Sequence, residues 1–404
     1  MRNTDSVLHI GYWDLPVAAL QRAGADVTCV VPAQEAPSVR AAGATPLVVT
    51  DPRSVADILA GLARHGHGPA DFAAVCSGIE FYLIQAAAVA ELIGARRAGP
   101  SQMVAMRDKF VQKDRVRRAG VRTAGCTLVE SLHRFDVAGF TGTGVLKPLD
   151  GAGARDTVVL RGPEDLRRLI ESSANADKGP WLLEEFVPGQ EFFIDGVVRG
   201  GDITLFSLSR YFRNLIECHD GGIVAYHTLP EAEVPDLYSK TRALAATAFQ
   251  ALGFEDGVFH LEVFWDGTDV VFGECAARVG GGRADGVVEL TFGVNLHDEW
   301  ALAALGLPSK VADVTRSEDC YGGLNLRCPQ GRLAYVPSVD EVLARPGVVQ
   351  AEVSIAVGDA APDFSTASNI RAGQAVVRGA DTRETARRLA DLNTWFFESI
   401  KTVS

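Results

Sequence analysis

Short apolar runs alternate with amphipathic stretches through the first hundred or so positions. Val7–Ile10, Val27–Val31, Pro46–Thr50 and Phe72–Cys76 read as strands, and Leu15–Ala23, Ser54–Arg64 and Glu80–Ile93 as helices. Strand–helix alternation of this kind implies right-handed crossovers and a parallel sheet. Gly11 closes the first strand, but Tyr12, Trp13 and Asp14 follow where a dinucleotide loop needs G-x-G-x-x-G, so a tight turn is expected there. Ser101 as N-cap and Gly120 past the end then bound one helix. Its many charges read as a solvated face, with Lys109 excepted on grounds given below.

The pattern changes after Val121. Thr127–Val129, Val145–Lys147, Thr157–Leu160 and Trp181–Val187 read as strands, with helices near Leu132–Ala138 and over Pro163–Ser173. A unit this small is expected to move as a lid. The run Asp150–Asp156 inside it is rich in glycine, including Gly151 and Gly153. Backbone without Cβ atoms can wrap a phosphate, and an ordinary hairpin loop has the same composition. Glu191–Val198 and Ile203–Tyr211 follow as a hairpin, then a helix over Pro235–Leu252, and near the end a helix over Thr382–Phe397.

The most informative stretch is Gly257–Trp265 followed by Asp269–Arg278, an antiparallel hairpin. A two-residue loop pairing Trp265 with Thr268 would put Glu262 and Glu274 on opposite faces. A three-residue loop pairing Trp265 with Asp269 puts both glutamates and Arg278 on one face and leaves the other almost wholly apolar, and is the expected register. Two neighbouring carboxylates on such a surface repel one another and need a cation. Arg278 can neutralise one as a buried salt bridge, or a hard divalent ion such as Mg²⁺ can satisfy both.

Composition narrows the setting. The chain has 404 residues, 47% of them hydrophobic, which excludes global disorder, and a net charge of −12, which argues against a general nucleic-acid binder. No apolar run approaches the length of a membrane span, and no signal-peptide pattern opens the chain. The seven scattered cysteines have no C-x-x-C pair and suit reduced thiols in the cytoplasm.

With these residues in view, the chain resembles the ATP-grasp carboxylate–amine ligases over nearly its whole length, most of all the branch containing L-amino-acid (dipeptide) ligases. The resemblance rests on motifs in order: Arg107-Asp108-Lys109; Val145-Leu146-Lys147-Pro148; Leu183-Glu184-Glu185-Phe186-Val187 then Gly189-Gln190-Glu191; and Glu262 followed by Glu274 and Arg278-Val279-Gly280-Gly281-Gly282. It implies an ATP-grasp fold of α/β and α+β parts: an N-terminal Rossmann-like pre-ATP-grasp domain over 1–100, a linking helix over 101–120, a mobile lid over 121–187, an antiparallel catalytic subdomain over 188–310 and a C-terminal subdomain over 311–404.

The same resemblance assigns roles. Lys109 and Lys147 would bind ATP phosphates, with Gly151 and Gly153 in the loop that closes over them. Glu184, Glu185 and Val187 would form the hinge strand beside adenine, and Glu191 would hold the ribose. Glu262 and Glu274 would ligate Mg²⁺, and Arg278, with Lys147, would serve catalysis by stabilising the acyl phosphate and the tetrahedral intermediate. Many members carry Asn two residues after the second metal-binding Glu; Ala276 stands there in this chain. Substrate contacts are expected from Arg213, Glu217, His219 and Arg283. The implied reaction activates a carboxylate with ATP and joins it to an amine, in a homodimer without nucleic-acid or membrane partners. A carboxylase or carbamoyl-type enzyme, and a nucleotide-binding protein without ligase activity, are the alternatives.

Overall fold

The computed structural model describes residues 6–403 apart from 69, 97, 138–139, 150, 173–178 and 313. Asp150, Ala138 and Ser173, named above, lie outside the described residues.

The N-terminal strands Thr45–Val48, Asp26–Val31, Ser6–Ile10 and Ala74–Cys76 form, in that order, a parallel sheet. Its strands are apolar on both faces because helices cover both, as a parallel sheet requires. Gly11 leaves the first strand at φ +82° and packs against the Tyr82 ring, the expected turn.

The segment 101–120 is not one helix. Pro100–Ala105 and Lys109–Arg118 are separate, and the carboxylate of Asp108 caps the second by accepting from the Val111 amide at 2.9 Å. Helical spacing from Lys109 then buries Lys109, Gln112, Lys113 and Val116 on one stripe. Gln112 fastens that stripe to the sheet, donating to the Cys275 carbonyl and accepting from its amide, both at 2.7 Å. The solvated-face reading therefore holds for Arg117 and Arg118 but fails for Lys113, which is 1% exposed.

Residues 126–185 hold a four-stranded antiparallel sheet in the order Cys126–Val129, Trp181–Glu185, Gly144–Pro148, Val158–Leu160. The expected helix after Leu132 is only a short 3₁₀ turn, Leu132–Arg134. The largest sheet has eight strands: Val270–Ala276, Gly257–Trp265, Gln190–Arg199, Asp202–Tyr211, Ala225–Thr228, Cys320–Leu326, Gly373–Gly379 and Val348–Val353. The last three lie beyond residue 311, so the C-terminal part extends this sheet, and it adds a separate two-stranded antiparallel pair, Arg332–Tyr335 with Lys401–Val403. A core around Phe192, Phe249, Phe259 and Phe272 sits between the sheet and the helix Pro235–Leu252. All seven cysteines are free.

Candidate active site

The hairpin of Gly257–Trp265 and Val270–Ala276 closes differently from its expected form. Trp265 pairs with Val270, leaving a four-residue loop in which Asp266 accepts from the amides of Thr268 and Asp269. That loop alone would set the glutamates on opposite faces. Gly273 is an extra residue between the pairs Val263–Phe272 and Glu262–Glu274, a bulge that restores the parity. Glu262 and Glu274 thus lie directly across from one another. A side chain at 273 would meet the Glu262 carbonyl at 2.8 Å. The Gly273 carbonyl accepts from Lys113 Nζ at 2.8 Å.

Around this pair the charges are counted out closely. Lys109 Nζ lies 3.3 Å from Glu274 and donates to the Gly151 carbonyl at 2.7 Å. Lys147 Nζ lies 3.0 Å from Glu184 and 3.8 Å from Glu274, and Lys113 Nζ lies 3.2 Å from Glu184. Burial would push the Glu274 carboxyl up, but Lys109 and Lys147 outweigh it and hold it at about 2. Burial would lower Lys147, yet Glu184 and Glu274 keep it above the ordinary lysine range. Lys113 is the reverse case: burial dominates and lowers it despite Glu184.

Glu191 has no ion pair among the described residues, although the charge of Lys147 acts on it. Burial, and then the charge of Glu262, raise its carboxyl to about 8, only partly opposed by the Leu215 amide, which donates to it at 2.7 Å. His260 stands beside Glu262, with Nδ1 at 3.0 Å from Asp195 and Nε2 at 3.6 Å from Glu262. Burial opposes its charge, but Asp195 first and Glu262 next raise it to about 9, an imidazolium at neutral pH. Gly280 passes so close that a Cβ would strike Asp195 and lie 2.8 Å from His260 Nδ1.

Arg278 leaves the hairpin toward the N-terminal domain. Its Nε donates to Glu80 at 2.5 Å and its Nη1 to the Val279 carbonyl at 3.0 Å. Glu80 also meets Arg107 at 3.2 Å. Burial would raise the Glu80 carboxyl; Arg278 and Arg107 together hold it below the usual range.

Two cavities meet at Glu262. The first is lined by Lys109, Lys113, Lys147, Gly151, Gly153, Glu184, Glu185, Val187, Glu191, Glu262 and Glu274, with an apolar part from Val145, Phe264 and Phe272. The second, about 1410 Å³ with its open mouth, runs from Glu262 and Arg278 along Gly280–Gly282 to Asn325 and Arg371. In the hinge strand, the Glu184 carboxylate is committed to the two lysines and that of Glu185 accepts from the Gly125 amide at 3.1 Å.

The structure therefore brings together the residues expected at the nucleotide and the metal. The expected substrate contacts are placed otherwise. Arg213 is exposed beside Glu217, and Glu217 caps a 3₁₀ helix with Asn214. His219 bridges the carbonyls of Ser365 and, at 3.1 Å, Ala154. Arg283 donates to Gln350 at 2.6 Å. None of these four lines either cavity among the described residues. Sequence reasoning missed Lys113, Glu80, Asp195 and Arg371. Only Lys113 carried a signal, its place one helical turn from Lys109.

Glu262 and Glu274 offer hard oxygen donors, and the unrelieved crowding of Glu191 against Glu262 suits an added cation. No cluster of three or more His, Cys, Asp or Glu able to hold a metal occurs among the described residues. No helix among them is long and apolar enough to cross a membrane.

No family model matches the chain. It is 22% identical over 281 residues, 67% of each chain, to the L-arginine-specific L-amino acid ligase of Bacillus subtilis. It is 24% identical over 282 residues, 63% of each, to dapdiamide A synthase of Enterobacter agglomerans. Among solved structures it is similar to an L-amino acid ligase from Bacillus licheniformis, with a TM-score of 0.80 at 17% identity over 100% of both chains. It is also similar to a carboxyaminoimidazole ribonucleotide synthase from Aspergillus clavatus complexed with ATP, with a TM-score of 0.73 at 16% identity, covering 98% of this chain and 100% of that one. The chain has the ATP-grasp fold.

Proposed function

We propose that the protein is an ATP- and Mg²⁺-dependent ligase that activates a carboxylate as an acyl phosphate and joins it to an amine, at least one partner being an amino acid. One observation carries this reading: the cross-strand Glu262–Glu274 pair, with Lys109 and Lys147 on it, stands where a nucleotide-sized cleft meets a second chamber walled by Arg278. The similarity to amino acid ligases supports the substrate class.

Lys109 and Lys147 hold the phosphate oxygens of ATP, and the apolar part of the cleft with the hinge backbone holds adenine. Glu262 and Glu274 would hold Mg²⁺, which would supply neutralising charge for the phosphate oxygens. The substrate carboxylate attacks the γ-phosphate, and ADP leaves. The amine then attacks the acyl carbon, and phosphate leaves. Both steps gather negative charge on oxygen, and the Arg278 guanidinium, fixed by Glu80, stabilises it. The glycine loop excludes water that would hydrolyse the acyl phosphate. A reducing compartment such as the cytoplasm suits the seven free cysteines, and a homodimer, implied by the resemblance, is read by sedimentation.

The test is phosphate release from ATP across carboxylates with and without amines, with products weighed by mass spectrometry. Release that requires both substrates and a new amide supports the ligase. Tight ATP binding without turnover for any pair would favour a binding protein. Turnover by Glu274→Gln equal to that of the unsubstituted enzyme would sink the metal assignment.

A further inference from the structure

The second chamber has two guanidinium groups in its wall among the described residues, those of Arg278 and Arg371. They differ in what already holds them. Arg278 already has a carboxylate partner, giving its Nε to Glu80 and its Nη1 to the Val279 carbonyl. Arg371 has no carboxylate within ion-pair distance among the described residues. Its Nη1 donates to the Asn369 carbonyl at 3.0 Å, and its buried Nε has no partner at all. A half-buried guanidinium with idle donors facing a cavity is costly unless an anion completes it. Burial accordingly lowers its affinity for its proton, with Glu352 opposing and the nearby Arg283 adding to the effect.

Other polar groups near it are satisfied within the protein. Asn325 donates to the Ser368 carbonyl at 3.0 Å and accepts from Gln374 at 3.2 Å. Tyr226 donates to the Gly282 carbonyl at 3.0 Å. The three glycines Gly280–Gly282 line the same chamber without side chains of their own.

We infer that Arg371 binds the free carboxylate of the amine substrate, so that the enzyme selects an amino acid as its nucleophile. This rests on the ligase reading. The chemistry distinguishes the two substrate carboxylates. The one that is activated must reach the γ-phosphate beside Glu262 and Arg278, and its charge disappears into the amide. The nucleophile's own carboxylate stays ionised throughout and lies away from the bond being made. It needs a cation that is not at the reacting centre, and a guanidinium can hold it through two parallel N–H donors. The expected specificity is therefore for amines that carry a carboxylate, with the corresponding amides poor substrates.

The experiment compares amino acids with their own amides as nucleophiles, at a fixed carboxylate donor, for the full chain and for Arg371→Met and Arg371→Lys. L-Arginine, L-valine and L-phenylalanine and their amides serve as probes, since an amide can act only as the nucleophile. Arg371→Met is expected to raise KM for the amino acids on the order of 10- to 100-fold. The amides, ATP and the donor should change little, and Arg371→Lys should restore part of the loss. Equal effects on acid and amide, or a rise confined to the donor, overturn the inference. Binding of the same probes in the presence of Mg²⁺ and a non-hydrolysable ATP analogue, followed by calorimetry, is independent of turnover. Carboxylate-dependent binding lost in Arg371→Met supports the assignment. Binding that survives it, or no preference for acid over amide in the unsubstituted protein, overturns it. Absence of any amide product in the turnover assay counts against the ligase reading itself.

Discussion

Glu262 faces Glu274 directly across two antiparallel strands, and one extra residue, Gly273, makes that possible. The bulge does two things at once. It returns both carboxylates to the same face, and it turns a carbonyl toward Lys113, whose ammonium also holds Glu184. Gly273→Val is expected to cost about 1–3 kcal/mol in stability by overpacking against the Glu262 carbonyl. It should lower turnover by more than tenfold, since it displaces both carboxylates. Denaturant midpoints and initial rates check the two effects separately; a stable, fully active variant would refute the role given to the bulge.

Lys113 is almost wholly buried in the wall of the first cavity, and its ammonium holds Glu184 at 3.2 Å. Removing one side of a buried pair leaves an uncompensated charge, typically at about 3–5 kcal/mol. Lys147 still reaches Glu184, so Lys113→Met is expected at or below the lower end of that range. Urea unfolding of Lys113→Met, Glu184→Gln and the double variant measures it. The double variant should be clearly more stable than the sum of the singles predicts, and simple additivity would mean that the two groups are not coupled.

Glu80 belongs to the N-terminal domain, yet its carboxylate aims Arg278 at 2.5 Å. It is a positioning residue. Glu80→Gln keeps the shape but loses the charge, and is expected to lower kcat by about 100-fold, the scale of one misplaced transition-state donor. On the proposed roles, KM for ATP should stay within about threefold, because Lys109 and Lys147 keep their own partners, Glu274 and Glu184. A rise in KM for ATP with kcat intact would contradict the assignment.

His9 gives a pH signature separate from the site. It is fully buried, donates from Nδ1 to the Gly11 carbonyl at 2.8 Å and accepts at Nε2 from the Gly78 amide at 3.0 Å. Only a neutral ring can do both. Burial pushes it down from 6.5 to about 4, only partly opposed by the Gly11 bond. Below pH 6.5 the unfolded chain takes up the proton and the folded one does not, so stability falls as the pH drops toward 4. Its contribution, fully present above 6.5, amounts to up to ~3 kcal/mol. His260 moves oppositely, raised to about 9, and its contribution is lost as the pH rises through that value. His9→Gln keeps both hydrogen bonds without a titrating ring. The difference between the two proteins' urea stabilities should shrink from pH 7 to pH 4.5, and a constant difference would rule out this origin.

How much of this was legible beforehand depends on how local the cause is. Strand–helix alternation is local, so the parallel sheet and the catalytic hairpin were readable. Asp108 as an N-cap was also a local signal, but Ser101 and Gly120 offered plausible ends for a single helix and hid it. The bulge at Gly273 was not readable, because loop length and bulge shift the register in opposite senses and only their sum shows in the alternation. Glu80 and Asp195 meet Arg278 and His260 across long stretches of chain, and Arg371 reaches the wall of the second chamber only through the tertiary fold. Arg213, Glu217 and His219 looked available by composition, yet caps and carbonyls had claims on them.

The glycine loop is held through main-chain atoms. The Gly151 carbonyl accepts from Lys109, that of Ala154 meets His219, and that of Gly153 accepts from the Ser368 amide at 2.9 Å. The fastening thus works as an interlock that ignores loop side chains: substitutions compatible with the backbone leave it engaged, while changes at Lys109 or His219 release it. Lys109 divides one ammonium between the loop and Glu274. The glycine loop and the Glu262–Glu274 pair are thus joined through a single side chain, Lys109.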